Sequence, residues 1–223
     1  MIDKRVSTVE QAVSDISDGA TILIGGFAHA GVPNELIDAV AKAGPKHLTM
    51  VGNGATEVET GHGQLMTAGL VDKFICSFPK MPDKPLYEEG HPSAGVQIEI
   101  VPQGTLAERI RAGGVGIPGF YTATAYGTPL AEGKEVREFD GRHYLFEHAI
   151  KGDFALIVAE KGDRWGNLVY RGTARNFNPI MAMAARITIA QVHQLVEPGE
   201  IDPEHVITPS IFVDRVVEVP RKP

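Results

Sequence analysis

Three short loops in this chain carry residue types that could do chemistry on a carbonyl group. In "DGATILIGGFAHAGVP", from Asp18 to Pro33, the apolar run Thr21 to Ile24 drives into Gly25, Gly26, Phe27 and Ala28, with Gly31 and Pro33 close behind. Gly52-Asn53-Gly54 follows "HLTMV", and Pro102-Gln103-Gly104 follows "VQIEIV". Glycines lack Cβ, so their amides can approach a ligand oxygen closely. A helix starting at Val32 or Pro33 would aim its N-terminal amides at the same crevice. Asn53 and Gln103 add neutral amide side chains, and the set suits a carbonyl or a developing oxyanion. It holds no obvious nucleophile or general base. The residues alone are equally compatible with three tight strand-to-helix turns.

Other chemistries fit less well. "GVGIPG", Gly114 to Gly119, has G-x-G-x-x-G spacing but follows a helical pattern and contains Pro118, so a flexible connection is expected rather than a dinucleotide loop. There is no G-x-x-x-x-G-K-[ST] and no G-x-S-x-G. His143, Glu147 and His148 lie in an expected strand, where neighbours face opposite ways, so no metal is expected. Cys76, the only cysteine, sits in an apolar run and reads as a buried, inert thiol in a reducing compartment. Glu57 and Glu59 read as solvated acids, His29 as an exposed loop histidine, and Arg109, Arg171 and Arg175 as members of ordinary ion pairs. A net charge of −7 argues against nucleic acid as a partner.

These loops need strands and helices to hold them. "STVEQAVSDI" reads as a helix with a Ser7/Glu10 capping box. Strands are expected at "TILIGG", "HLTMVG", "KFICSF" and "VQIEIVP". They alternate with helices from Pro33 to Gly44, over "GQLMTAG" and over "TLAERIRAGG". That rhythm implies right-handed crossovers and a parallel sheet covered on both faces. Beyond about residue 113 the pattern turns β-rich. A hairpin is expected at Asp140-Gly141, with strands at "FALIVAEK", "NLVYR", "RITIAQVHQLV" and "IFVDRVVEV". Lys80 to Ser93 reads as a polar, exposed excursion. The expectation is one α/β unit over residues 1–223: a mostly parallel sheet flanked by helices, with a β-rich second half. The 223 residues support a sizeable core, with 43% hydrophobic and 22% charged positions. No apolar run approaches the roughly 18 residues that cross a bilayer, and no secretory h-region is seen at the start, so a cytoplasmic location is expected.

The Asp18 to Pro33 segment resembles the signature found in the A subunits of class I CoA-transferases. So do "VPQGTLAERIRAGGVGIPGFYTATAYGT" and "EGKEVREFDGRHYLFEHAIKGDFALIVAEKGDRWGNLVYR", together with "ARNFNPIMAMAA". The similarity covers almost the whole chain. It implies transfer of CoA from succinyl-CoA to a 3-oxo acid through a glutamyl-CoA thioester. "CSFPK", "KGDRWGNL" and "NPIMAMAA" are most similar to members acting on 3-oxoadipate, with acetoacetate the alternative acceptor. The attacking glutamate is implied to lie in a partner subunit, within a heteromer expected to be α2β2. CoA serves as substrate, and no permanent cofactor is implied. Gln103 matches the residue beside the thioester that holds its oxyanion. Gly25, Gly26, Phe27, Ala28, Gly31, Asn53 and Gly104 match residues lining the same substrate site. Two departures stand out: "FAHAG" replaces "FGLCG" or "FGTAG", putting Ala28 where many relatives have glycine, and "GNGATE" replaces "SNNAG". A sugar-phosphate isomerase relative or a small-molecule binding module on the same fold is the reading from another class.

Overall fold

The structure is a computed structural model and describes residues 2–55, 60–79 and 95–221. Glu57, Glu59 and the segment Lys80 to Ser93 lie outside the described residues. The elements run α1 (Val9–Val13), β1 (Thr21–Ile24), α2 (Asn34–Ala43), β2 (Leu48–Val51), α3 (Gly61–Thr67), β3 (Val71–Cys76), β4 (Gln97–Ile100) and α4 (Gln103–Gly114). There follow β5 (Gly119–Thr122), β6 (Val136–Phe139), β7 (Arg142–His148), β8 (Gly152–Asp163), β9 (Leu168–Val169), α5 (Asn178–Ala184), β10 (Ala185–Val196) and β11 (Arg215–Glu218).

The main sheet has the order β11-β10-β8-β1-β2-β3-β4, with every pair along that path parallel. The chain grows outward from β1 through β2, β3 and β4, and returns on the other side as β8, β10 and β11. The order therefore reverses between β1 and β8, where open α/β sheets form a crevice at the strands' carboxyl ends. β1 is apolar on both faces because both are covered. Ile22 and Ile24 pack with Leu36, Ile37 and Val40 of α2 and Leu65 of α3, while Leu23 packs with Leu106 and Ile110 of α4 and Met181 of α5. Each of these side chains is removed from water, worth about 1.5–3 kcal/mol apiece.

The second half is β-rich, as expected, and its strands divide between two sheets. Only β5, β7 and β6 make a separate antiparallel sheet; β8, β10 and β11 extend the parallel one. The Asp140-Gly141 hairpin joins β6 to β7, and Tyr121 meets Phe139 and Phe146 edge-on across the small sheet, with centroids 5.4 and 5.1 Å apart. Arg109 of α4 anchors that sheet by donating to the His148 carbonyl at 2.7 Å.

Local corrections have local causes. The first helix is capped by Thr8, not Ser7: Gln11 N–H donates to Thr8 Oγ1 at 3.1 Å, and the Gln11 side chain accepts from Ser7 N–H at 3.0 Å. Thr8-x-x-Gln11 has the same spacing one residue later, and the extended φ of Thr8 suits a cap. "IFVDRVVEV" is a strand only from Arg215, because Pro209 is followed by a 3₁₀ turn, Ser210–Phe212. "NLVYR" yields two paired residues, antiparallel to β8. "GGVGIPG" is not a flexible link at its start. α4 continues through Gly114, and a Cβ on Gly113 would sit 1.9 Å from the Ile150 carbonyl oxygen.

Candidate functional site

β1 ends at the carboxyl edge of the sheet, and the chain turns there through Gly25 to Gly31. The amides of Gly25 and Gly26 are engaged inside the protein. Gly25 N–H donates to the Leu156 carbonyl at 3.0 Å, and Gly26 N–H donates to Asn176 Oδ1 at 3.1 Å. The missing Cβ atoms also serve internal packing. At Gly25 a Cβ would fall 1.9 Å from Asn178 Oδ1, and at Gly26 one would fall 2.6 Å from Val32 Cγ2. Gly25 makes room for Asn178 and Gly26 makes room for Val32, while Asn176 takes up the Gly26 amide.

Those asparagines were not singled out by their spacing. Asn176 Oδ1 accepts from Gly26 and Phe177 N–H, and its Nδ2 donates to the Ala30 and Thr173 carbonyls at 2.9 Å each. Its backbone sits at φ 19°, ψ −118°, a sparsely populated region held by these bonds. Asn178 is fully buried; Oδ1 accepts from Val158 N–H at 3.0 Å, and Nδ2 donates to the Gly31 and Ala174 carbonyls. Between them the turn closes on itself, with Phe27 and Ala30 exchanging two backbone hydrogen bonds of 3.0 Å. Ala28 adopts φ +50°, where a Cβ is strained and a glycine would sit more easily. "N-F-N-P" before an apolar helical run was the available signal, as an N-terminal motif, but nothing local says that its amides reach back some 150 residues.

The clamped turn presents Phe27, 46% exposed, beside the N-terminus of α4. Phe27, Gln103, Gly104, Ala107, Asn176, Phe177 and Ile180 enclose a cavity of about 260 Å³. Gln103 is the first residue of α4 rather than part of a free loop, and its Nε2 donates to Asn53 Oδ1 at 2.7 Å. Asn53 is buried and anchored: its carbonyl accepts from Ser77 and Phe78 N–H, and Ser77 Oγ reaches its Oδ1 at 2.9 Å. The loops after β1, β2 and β4 thus converge, with Gln103 oriented by Asn53. Gly104 differs from Gly25 and Gly26. A Cβ there would meet nothing within 4 Å, and Gly104 also borders a second cavity of about 270 Å³ with Thr105, Phe120 and Tyr121. The first-turn N–H groups of α4 have no intrahelical partners, and they make this corner partially positive.

Other residues fall elsewhere. Arg109 is paired with Glu99 at 2.9 Å; desolvation acts to raise the Glu99 carboxyl, but hydrogen bonds from Lys73 and Arg109 outweigh it and hold it low. Arg171 and Arg175, expected in ion pairs, form none among the described residues. His143 stacks on Tyr126, Glu147 is buried against Lys134, and His148 lies edge-on to Phe146, so these three serve separate contacts. Among the described residues no three metal-ligating side chains gather. Cys76 is fully buried, and burial pushes its thiol up to about 12. His29 is exposed at the turn's tip.

His62 supports the same turn from behind. It is 2% exposed, and desolvation pushes its pKa from 6.5 down to about 4, so the ring is neutral. Nε2 lies 3.3 Å from the Ile24 carbonyl, which can only accept, so the ring's proton is on Nε2. A base whose folded pKa is depressed leaves the unfolded chain binding more protons as the solution is acidified. Its stabilising contribution is whole above pH 6.5 and drains away toward pH 4, approaching about 3 kcal/mol. The urea midpoint of the wild type is therefore expected to fall more steeply over that window than that of His62→Gln. Equal slopes would remove His62 as the source.

The profile of the coenzyme A transferase family matches residues 6–219. The A subunit of the 3-oxoadipate CoA-transferase of Pseudomonas putida is 55% identical over 98% of this chain and 95% of its own length. The A subunit of the probable succinyl-CoA:3-ketoacid coenzyme A transferase of Bacillus subtilis is 48% identical, over 96% of this chain and 89% of its own. Among solved structures, an acyl-CoA transferase from Escherichia coli O157:H7, in thioester complex with CoA, superposes with a TM-score of 0.83 at 24% identity, a likeness of fold. It covers 99% of this chain, which spans about half (50%) of that chain's length.

Proposed function

The chain belongs to the coenzyme A transferase family, and on that premise we propose that it is one of two unlike subunits of an enzyme that moves CoA from succinyl-CoA to 3-oxoadipate. Relatives 55% identical to this chain carry the substrate assignment, and their designation as A subunits supports a second kind of polypeptide as partner. The heteromer is α2β2, it works in the cytoplasm, and residues 1–223 act as one unit. CoA enters and leaves as substrate, with no resident cofactor.

The observation that supports this chemistry from the geometry is the Asn53–Gln103 pair at the mouth of the Phe27 cavity. A carboxamide has two N–H donors. With one directed to Asn53, the second is left for a carbonyl oxygen, beside the partial positive charge of the α4 N-terminus. The catalytic glutamate, supplied by the partner subunit, attacks the thioester carbonyl, whose oxygen gains charge in this corner. Collapse breaks the C–S bond and leaves an anhydride and the CoA thiolate. The thiolate then attacks the glutamyl carbonyl, releasing succinate and forming glutamyl-CoA; 3-oxoadipate reverses the sequence. Phe27, Phe177 and Ile180 give this half of the pocket an apolar wall that excludes water from intermediates prone to hydrolysis.

Mass spectrometry of the reconstituted pair after succinyl-CoA is expected to find the CoA adduct on the partner polypeptide and none on this chain. Turnover or an adduct with this chain alone would overturn the division of labour. The 48% identity to a 3-ketoacid enzyme makes acetoacetate the second acceptor to test. Family membership sets aside the isomerase and binding-module readings.

A further inference from the structure

The turn that walls the Gln103 cavity has a second side. Against its Ala30–Val32 flank lies a larger cavity of about 610 Å³, reached by residues of the β1 turn, the start of α2, β8 and β10. It lies along the second halves of β8 and β10, which run on past the end of β1, beside the point where the strand order reverses.

Gln191 of β10 lines it and is 1% exposed. Its Nε2 donates to Glu35 Oε2 at 2.6 Å, which fixes the amide, because a flip would set its oxygen against the carboxylate. Gln191 Oε1 is left buried without a hydrogen-bond partner. Buried acceptors are rarely left so, and Gln191 is part of the cavity wall. Arg171, also lining the cavity, is exposed and has no salt bridge among the described residues. Glu160 is already held by Arg221 at 2.5 Å. The unmet needs are a donor at Gln191, close to a carboxylate, and an anion at Arg171.

We infer that this cavity receives a segment of the partner subunit, which brings an N–H or ammonium donor to Gln191 Oε1 and a carboxylate to Arg171. The inference rests on the heteromeric reading above. One feature favours a protein segment over a free substrate: the Phe27–Ala30 hairpin borders both cavities, so a chain that closes over Gln103 also passes over this one.

The test uses Thr173→Cys at the cavity rim; Cys76 is buried, so the introduced thiol is the reactive one. Its labelling rate is expected to fall at least tenfold when the partner subunit is added. Lys42→Cys, in the last turn of α2 away from the cavity, is expected to keep its rate. Arg171→Glu is expected to weaken assembly of the heteromer by tenfold or more, with turnover at saturating partner within twofold of wild type. Unimpeded labelling of Thr173→Cys in an active complex would overturn the inference while sparing the heteromeric reading. Protection by CoA or 3-oxoadipate without the partner would also overturn it. Failure of the wild-type chain to bind any partner polypeptide would overturn both.

Discussion

Gln103→Ala is expected to lower turnover of the reconstituted transferase by about 10²- to 10³-fold, the usual cost of removing one oxyanion donor. The loss should appear in kcat with little change in KM for the thioester, because the donor matters most when the carbonyl oxygen carries charge. Folding should hardly notice. Gln103 is the first residue of α4, where alanine is a good helix former, and its partner Asn53 Oδ1 keeps the hydrogen bond from Ser77 Oγ. The change in stability should stay within about 1 kcal/mol, so denaturation and assembly of the heteromer serve as controls. Steady-state rates equal to wild type would remove Gln103 from the mechanism.

Gly25→Ala is expected to be strongly destabilising. The added methyl would lie 1.9 Å from Asn178 Oδ1 and 2.6 Å from its Cγ. Asn178 has no room to retreat: it is fully buried, and its amide is bonded to Val158, Gly31 and Ala174. Overpacking costs about 1–3 kcal/mol. Losing the bond to Val158 N–H adds about 1–3 kcal/mol for an unsatisfied buried group. Together these take a large part of the roughly 5–15 kcal/mol that a domain of this kind has in reserve. The measurement is the urea midpoint. Gly104→Ala, whose Cβ meets nothing within 4 Å, should hold or slightly raise that midpoint, because alanine favours a helix over glycine by up to about 1 kcal/mol, while the methyl at the cavity's edge lowers turnover. In the double variant Gly25→Ala/Asn178→Ala the two costs should be less than additive, because the clash is gone once Asn178 is shortened. Full additivity would show that the two residues are not in contact.

The parallel strands of the first half, and the helices between them, were legible because each is an uninterrupted apolar or 3.6-periodic run with a glycine or proline at its end. β1 is the clearest example: Thr21 to Ile24 reads as a strand buried on both faces, and Ile22 and Leu23 pack to opposite sides. The second half was harder. Ile211 and Phe212 look like the start of a strand, but backbone geometry after Pro209 turns them into a 3₁₀ segment, leaving Ile211 80% exposed. β8 and β10 were found as strands, yet no local pattern says which sheet a strand joins; pairing with β1 is a long-range choice.

Residue type and spacing alone determined that three glycine-marked loops follow three strands, and that two of them carry an amide side chain. Those loops must then gather at one edge, because parallel strands present all their carboxyl ends on the same side. Only the tertiary structure decided what the glycines are for. Asn176 and Asn178 lie some 150 positions away from Gly25 and Gly26, and hydrogen bonding across that distance leaves no periodicity for a local reading to find. It likewise decided that Gln103 points at Asn53, and that Gln191 is buried beside open volume with an acceptor unmet. Local propensity depends on neighbours in the chain, whereas a buried amide's partners depend on which distant backbone the packing brings within about 3 Å.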